Sequence, residues 1–319
     1  MTTLTGKNVL VTGATGFIGS NLVDRLVAAD IKVKALVRDA NNIGKLNRKK
    51  VEIVEGDLTN YDSLDPVLDK VDVIFNLAAG LPHHHLSGEQ YKKTNIIGLE
   101  NLIKKAIEKK VGKVIHVSTV GVYGTNANNV DESFKPKPSD VYSRSKLAGE
   151  RVVQKYKNKI AVVIVRPTIA YGPGDTRPGF LNLFKLIKKG MFVPVGRGSN
   201  YFHTIYIDNL IDGLLLVATN KQAIGQDFII GDDPCPTMKE ILSLMYILLG
   251  KKMPRVYIPK SLVVFGIPVV LNKRRVNFLT ADKKYKIDKA KRILGYNPKV
   301  DLTAGLQATL KWYIKKGLI

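Results

Sequence analysis

The run Asn8-Val9-Leu10-Val11-Thr12-Gly13-Ala14-Thr15-Gly16-Phe17-Ile18-Gly19 carries a short apolar stretch straight into three glycines spaced three apart. A backbone that turns so tightly off a strand and leaves a helix packed close to it has few architectures open to it. Asn8 to Val11 reads as a buried strand, and Ile18, Leu22, Val23 and Leu26 recur at helical spacing within a helix from Phe17 to about Ala29. The free N–H groups and positive dipole end of that helix suit the pyrophosphate of a dinucleotide. A βα turn that binds nothing is the weaker alternative, because strand, turn and helix follow in the required order. Gly13, Thr15, Gly16, Phe17, Ile18 and Gly19 are thus the candidate cofactor turn.

Strand-like and helix-like segments alternate through the first half of the chain, the pattern of a parallel sheet with helices on both faces. Strands are expected at Asn8 to Val11, Lys32 to Val37, Val51 to Glu55, Val73 to Leu77, Lys113 to Ser118 and Ala161 to Val165, with helices at Tyr91 to Lys110 and Asp140 to Tyr156. After Arg166-Pro167 the chain turns to Gly and Pro punctuation, as in Tyr171-Gly172-Pro173-Gly174-Asp175 and Arg177-Pro178-Gly179. The expected fold class is α/β: a Rossmann-type doubly wound parallel sheet with a smaller C-terminal substrate-binding lobe. Residues 1–166, with about 201–232, would form the dinucleotide-binding domain, and about 167–200 and 233–319 the lobe.

Composition narrows the classes further. With 319 residues, 45% of them hydrophobic, the chain can bury a large core, and disorder is excluded. The first strand starts within ten residues of Met1, so no signal or transit peptide is expected and the expected location is cytoplasmic. Cys235 is the only cysteine, which rules out a disulfide framework and a cysteine zinc site. No run of eighteen apolar residues offers a membrane span. The net charge is +23, and +14 of it falls between Lys251 and Ile319. A basic lobe favours an anionic partner, although scattered pairs such as Lys49-Lys50 and Lys188-Lys189 also fit a general preference for lysine. The apolar stretch Ser261 to Leu271, flanked by Lys260 and Lys273-Arg274-Arg275, reads as core or lid ahead of a membrane-surface element.

Tyr142-Ser143-Arg144-Ser145-Lys146 sets a tyrosine and a lysine four residues apart, on one face of the expected helix. A free phenol titrates near 10, and a neighbouring ammonium would draw that value down. The phenol could then exchange a proton with a substrate hydroxyl or carbonyl while a nicotinamide exchanges a hydride. Tyr-x-x-x-Lys alone is common; its weight comes from the other motifs.

With those motifs the chain resembles the extended short-chain dehydrogenase/reductase family of NAD-dependent epimerases and dehydratases, and is similar to its 3β-hydroxysteroid dehydrogenase-like and dihydroflavonol reductase-like members. The motifs stand in order over nearly the whole length. They are Thr12 to Gly19, Gly56-Asp57-Leu58, Asn76 to Gly80, Asn95 with Gly98, Val117 to Gly124, Tyr142 to Lys146, Arg166 to Pro173, Tyr206 to Leu210, and Asp288 to Pro298. The resemblance implies a third catalytic group at Thr119, beside Tyr142 and Lys146, with Ser118 as a lower-ranked neighbour. It implies that Asp57 and Leu58 border the adenine, that Ala78, Ala79, Gly80 and Asn95 line the dinucleotide, and that Tyr142 and Lys146 reach the nicotinamide ribose. It also suggests a homodimer formed through two helices per subunit. Arg38, at the tip after the second strand, and Lys45 favour the 2′-phosphate of NADP(H), with NAD(H) as the alternative.

Departures from the pattern limit the activity. Val120-Gly121 follows Thr119 where dehydratases carry acidic residues, so a 4,6-dehydratase is disfavoured. Phe202 stands where many sugar-nucleotide enzymes place an arginine; Arg197, Arg274 or Arg275 could substitute. Asn209 replaces the commoner second Asp of Y-x-D-D, and Leu99 the Thr of N-x-x-G-T. His83, Asn182, Arg197, His203 and Arg274 are candidate substrate contacts, and the His83-His84-His85 run is not expected to hold a metal. The leading expectation is an NAD(P)-dependent oxidoreductase of epimerase type acting on a secondary hydroxyl or ketone, with a nucleotide sugar as substrate. The alternative is an NADPH-dependent reductase or 3β-hydroxysteroid dehydrogenase-like enzyme with a lipophilic ketone. A non-catalytic dinucleotide sensor or nucleic-acid-binding protein ranks last, because Tyr142, Lys146 and Thr119 are all present.

Overall fold

A computed structural model describes residues 4–82, 86–259 and 273–319, with side chains from residue 276 in the last segment. Seven parallel strands form one sheet in the order β3-β2-β1-β4-β5-β7-β10. They are β1 (Asn8–Thr12), β2 (Lys32–Val37), β3 (Glu52–Glu55), β4 (Val73–Asn76), β5 (Lys113–Val117), β7 (Ala161–Pro167) and β10 (Asp227–Ile230). Strand order reverses between β1 and β4, and a crevice outside the strands' C-terminal ends is where such sheets bind ligands.

Alternation along each strand divides the core in two. Val9, Val11, Phe75, Ile115, Val163 and Val165 face one layer. That layer is covered by Leu22, Val23 and Leu26 of helix α1 (Phe17–Ala28) and by Leu210 and Leu214 of α6 (Ile207–Thr219). Leu10, Ile74, Val114, Val162 and Ile164 face the other. There Leu99, Leu102, Ile103 and Ala106 of α3 (Leu99–Glu108) and Val153 of α4 (Val141–Tyr156) complete the packing. Central strands buried on both faces explain the near-continuous apolar runs in the sequence.

The helix expected from Tyr91 to Lys110 is broken into three parts. A short α2 (Gly88–Lys92) leads into a π-helical segment, Lys93–Gly98, before α3 begins. The π segment is pressed onto its neighbours: a Cβ on Gly98 would lie 2.9 Å from the Cβ of Leu58, and one on Gly149 of α4 would lie 2.8 Å from the carbonyl oxygen of Asn95. Such segments are frequent at functional sites, and this one carries buried Asn95.

The rest of the chain adds elements that periodicity did not isolate. Strand β6 (Ala127–Val130) pairs with β11 (Lys283–Tyr285), and β8 (Ile169–Tyr171) pairs with β9 (Thr204–Tyr206). Helices α5 (Pro178–Lys188), α7 (Met238–Leu248), α8 (Lys273–Thr280), α9 (Asp288–Leu294) and α10 (Leu302–Lys315) complete the described chain. No helix among the described residues is long and apolar enough to cross a membrane. The apolar stretch Ser261 to Leu271 lies outside the described residues.

Candidate active site

The glycine turn has little steric freedom. Gly13 sits at φ +65°, and a Cβ there would lie 2.7 Å from the amide nitrogen of Ala78; a Cβ on Gly19 would lie 2.1 Å from the carbonyl oxygen of Gly13. Gly16 forms the N-cap of α1 with no side-chain cap, and no acidic residue occupies the first turn. That leaves the helix start open to an anion, so the residues present fit the diphosphate of a dinucleotide. Thr15 and Gly16 are exposed, while Phe17 and Ile18 are half-buried.

Across the crevice, the loop after β4 is held by buried polar groups. The amide of Ala78 donates to Thr12 Oγ1 (3.1 Å), and the Thr12 hydroxyl donates to Asn76 Oδ1 (2.6 Å). Asn76 Nδ2 then donates to His116 Nδ1 at 3.1 Å, which assigns the ring proton to Nε2. Thr12, Asn76 and His116 are register partners on β1, β4 and β5, so one polar row crosses the point where strand order reverses. His116 Nε2 is buried without a hydrogen-bond partner among the described residues, and burial, then Lys146, holds its pKa well below the usual value. Asn95 accepts from the Gly80 amide (2.9 Å) and donates to Ser145 Oγ (2.9 Å). Its side chain is thereby committed to joining the loop to α4, which makes Asn95 a positioning residue. Leu58 is buried beneath it. Asp57 accepts from the amide and hydroxyl of Thr59 through Oδ1, at 2.8 and 2.9 Å.

Thr119 follows the end of β5, and α4, which carries Tyr142 and Lys146, packs beside it. Thr119 caps the 3-10 turn Val120–Tyr123, its Oγ1 accepting from the Gly121 amide at 3.0 Å. A Cβ on Gly121 would lie 3.3 Å from Thr119 Oγ1 and 3.6 Å from Ser143 Cβ, so this turn packs directly on the start of α4. Asp140 caps α4 through the Ser143 amide, and Tyr142 stands half-buried in the first turn, its ring 6.1 Å from that of Tyr91. Lys146 is buried one turn later and donates from Nζ to the carbonyl of Val117 at 2.8 Å.

Here the electrostatic expectation needs correcting. The phenol of Tyr142 is pushed up to about 12, because burial outweighs every nearby charge, and the cation that opposes the rise is Arg177. Lys146 is drawn down to about 8 by its own burial, which Glu150 partly offsets. A carbonyl holds the lysine, so spacing on one helix face did not decide which cation acts on the phenol.

Ser118 is likewise not placed as a substrate contact. It is buried and donates its hydroxyl to Glu150, which also holds Arg166 through two bonds, Nε to Oε1 at 3.0 Å and Nη2 to Oε2 at 2.7 Å. Arg166 donates further to the Tyr123 hydroxyl and to Asp227, and Asp227 pairs with Lys289 at 3.1 Å. The arginine of the Arg166-Pro167 motif is thus a buried clamp joining α4, β7, β10 and α9.

The sequence reading missed Arg177. The segment Pro173 to Arg177 crosses the start of α1: Asn21 Nδ2 donates to the Pro173 carbonyl (3.4 Å), and a Cβ on Gly174 would lie 3.6 Å from Phe17 Cδ2. The Arg177 guanidinium lies 4.9 Å from the centroid of the Phe17 ring. Buried Asp175 grips it at 2.7 and 2.9 Å, and it also donates to the Ala170 carbonyl at 2.8 Å. The only signal in the sequence was a cation two residues after an aspartate in a glycine-punctuated segment.

Other expected contacts divide. Arg38 is exposed beyond β2, whereas Lys45 pairs with Asp24 at 3.1 Å. Arg197 donates to the Tyr257 hydroxyl (3.1 Å) and lines a cavity of about 290 Å³ with Gly196, Gly198, Asn200, Thr280 and Asp282. Asn182 is exposed, on the face of α5 opposite Phe180 and Phe184. His203 is a buried structural residue. Its Nε2 donates to the Asp232 carbonyl (2.7 Å), its Nδ1 accepts from the Tyr285 amide (3.2 Å), and burial brings its pKa down to about 4. Phe202 is buried edge-on to Phe278, with Lys283 over both rings. His83 and the side chain of Arg274 lie outside the described residues, among which no cluster of metal-ligating side chains occurs.

A sequence model of the NAD dependent epimerase/dehydratase family matches residues 9–231. The chain is 30% identical to the N-acetyl-alpha-D-glucosaminyl-diphospho-ditrans,octacis-undecaprenol 4-epimerase of Escherichia coli O157:H7, over 81% of this chain and 77% of that protein. It is 30% identical to the decarboxylating sterol-4-alpha-carboxylate 3-dehydrogenase of Candida albicans, over 96% and 97%. The crystal structure of UDP-glucuronic acid 4-epimerase from Bacillus cereus with UDP-glucuronic acid and NAD superposes with a TM-score of 0.79 at 27% identity, over 97% and 99%. The glycine turn, the parallel sheet and the match over more than two thirds of its length together establish that this chain belongs to the NAD dependent epimerase/dehydratase family.

Proposed function

We propose that the protein is an epimerase-type oxidoreductase that acts on a secondary hydroxyl of a nucleotide sugar. The observation that supports this reading is the packing of the Thr119 turn onto the first turn of α4, the turn that carries Tyr142, with Lys146 one turn later bonded to Val117 of β5. When bound, a nicotinamide dinucleotide supplies the hydride acceptor and donor. Gly13, Gly16 and Gly19 would hold its diphosphate against α1, with Phe17 and Ile18 beside it and Arg177 closing over Phe17. Asp57, Leu58 and the backbone of Ala78 to Gly80 would border the rest.

In this reading the phenolate of Tyr142, a minor form while burial holds the phenol up at about 12, takes the proton of the substrate hydroxyl and returns it, and Thr119 hydrogen-bonds the same oxygen to fix its distance from the phenol. Lys146, anchored on Val117, holds the ribose side of the site. Val120-Gly121 after Thr119 leaves no carboxylate there to expel water, which favours epimerisation over dehydration. Exposed Arg38 favours NADP(H); Lys45 contributes less because Asp24 already pairs with it. A homodimer through α3 and α4 is the proposed assembly.

A second reading, a net oxidoreductase on a lipophilic ketone, draws on buried Phe202 standing against Phe278 where an arginine would grip a diphosphate. One assay separates the two. UDP-sugars converted to their epimers, without steady change in nicotinamide absorbance, support the epimerase. Stoichiometric absorbance change with steroid or other lipophilic ketones supports the alternative, and neither product from either panel overturns both.

A further inference from the structure

The substrate side of the molecule carries an apolar surface that the site chemistry does not use. Met191 is 61% exposed, Val193 41%, Ile247 68%, Val256 73% and Tyr257 38%. They lie on segments that are joined to one another. A parallel bridge joins Val195 to Ile258, closed by the Ile258 amide on the Pro194 carbonyl and the Gly196 amide on the Ile258 carbonyl, both 2.9 Å. Val193 and Val256 each lie two residues before that bridge on the segments it joins. Met191 and Ile247 are the chain neighbours of Phe192 and Tyr246, which are joined by a 2.8 Å bond from the Tyr246 hydroxyl to the Phe192 carbonyl. Tyr257 accepts from Arg197, so the patch borders the 290 Å³ cavity.

Cations outnumber acids in the segments that carry this surface: residues 178–200 and 241–259 hold seven Lys or Arg and no Asp or Glu, while Asp282 lines the cavity at its border. Lys188, Lys189, Lys251, Lys252 and Arg255 are exposed around the apolar side chains. Protein interfaces are depleted in lysine, and a nucleic acid would call for stacking aromatics where this patch is mainly aliphatic. Aliphatic side chains ringed by long cations suit an interface where the chains enter the acyl boundary and the ammonium groups meet anionic headgroups.

We propose that this face seats the protein peripherally on an anionic lipid surface, with the cavity at Arg197 beside the membrane. The inference stands apart from the redox reading, since it rests on surface residues outside the Thr119, Tyr142 and Lys146 site. It is tested by sedimenting the full chain with vesicles of phosphatidylglycerol and phosphatidylcholine, and with phosphatidylcholine alone. Expected is binding to the anionic vesicles only, weakening as salt is raised. Ile247→Ser and Val256→Ser, and separately Lys251→Gln and Lys252→Gln, should each reduce the partition coefficient roughly fivefold or more per residue. Circular dichroism and the melting temperature of these exposed-site variants should match the parent. Three outcomes overturn the proposal: no sedimentation with anionic vesicles at low salt, binding that the apolar substitutions leave unchanged, or a change of oligomeric state in the apolar variants, which would make the patch a protein interface.

Discussion

The guanidinium of Arg177 lies over the ring of Phe17, 4.9 Å from its centroid, and buried Asp175 fixes it there through two bonds. Phe17 is the first residue of α1, so the stack brings a cation to the uncapped helix start while its charge also reaches the Tyr142 phenol. Replacing Arg177 with Met should weaken NAD(P) and ADP-ribose roughly tenfold, the scale of one lost charge-assisted bond, and leave AMP unchanged. Calorimetry on the three ligands checks this; equal losses for all three would mean a disturbed fold. Burial holds Tyr142 high and Arg177 opposes it, so the variant's phenol titrates higher still.

Tyr142→Phe removes the acid-base group without altering the 6.1 Å ring pair with Tyr91. Turnover should fall by about 10² to 10⁴, with dinucleotide affinity and melting temperature retained. Thr119→Ala should act on both levels, because its hydroxyl also caps the Gly121 amide. Its activity falls and its stability drops by about 1 kcal/mol. Steady-state kinetics beside thermal melts separates the two variants.

The cofactor turn was legible in the sequence because its constraint is local: Gly13 and Gly19 exclude a Cβ through backbone a few residues away or on the adjoining strand. The parallel sheet was legible because strand-like and helix-like segments alternate along the chain, whereas the layer that each of Val9, Leu10 and Val11 faces appears only in the packing. What was hidden depends on distant contacts. The turn at Lys93–Gly98 follows from Asn95 reaching Gly80 and Ser145, which no helical period reports. The cation acting on Tyr142 lies thirty-five positions away in sequence, and His203 and Ser118 look like site residues until Asp232, Tyr285 and Glu150 are seen to consume them.

Arg38 is the exposed cation after β2, whereas Lys45 is paired with Asp24. Arg38→Ala should therefore weaken NADPH by roughly tenfold or more and leave NADH nearly unchanged, and Lys45→Ala should do little to either. Fluorescence titration of both reduced dinucleotides reads the difference. Equal affinity of the parent for NADH and NADPH would reverse the assignment to NADP.

Arg166 is buried with Glu150, Asp227 and the Tyr123 hydroxyl around it. Arg166→Met strands Glu150 without its bidentate partner, and an unfolding loss of about 3–5 kcal/mol is expected from denaturant titration. Lys at this position should rescue little, since a single ammonium cannot reproduce the paired Nε and Nη2 bonds. A loss under 1 kcal/mol would show that the clamp adds nothing to the fold.

Asn209 makes four contacts that explain why an amide suits its position. Its Nδ2 donates to Asp232 Oδ1 (2.7 Å) and to the Val300 carbonyl (2.8 Å), while Oδ1 accepts from the amides of Lys299 and Val300. Burial pushes the Asp232 carboxyl up to about 7, held down from a higher value by Asn209 and the Tyr206 amide. Asn209→Asp removes a donor and faces one buried carboxyl with another, which raises the pair's proton affinity further. With the folded-state pKa above the unfolded value near 3.8, the folded protein binds the extra proton, so stability is retained at low pH and lost as pH rises through the folded pKa. The variant should lose about 1–3 kcal/mol at pH 8 and much less near pH 5. Thermal melts of parent and variant across that range check the slope, and a deficit independent of pH would mean that the lost donor, not the paired carboxyls, sets the cost.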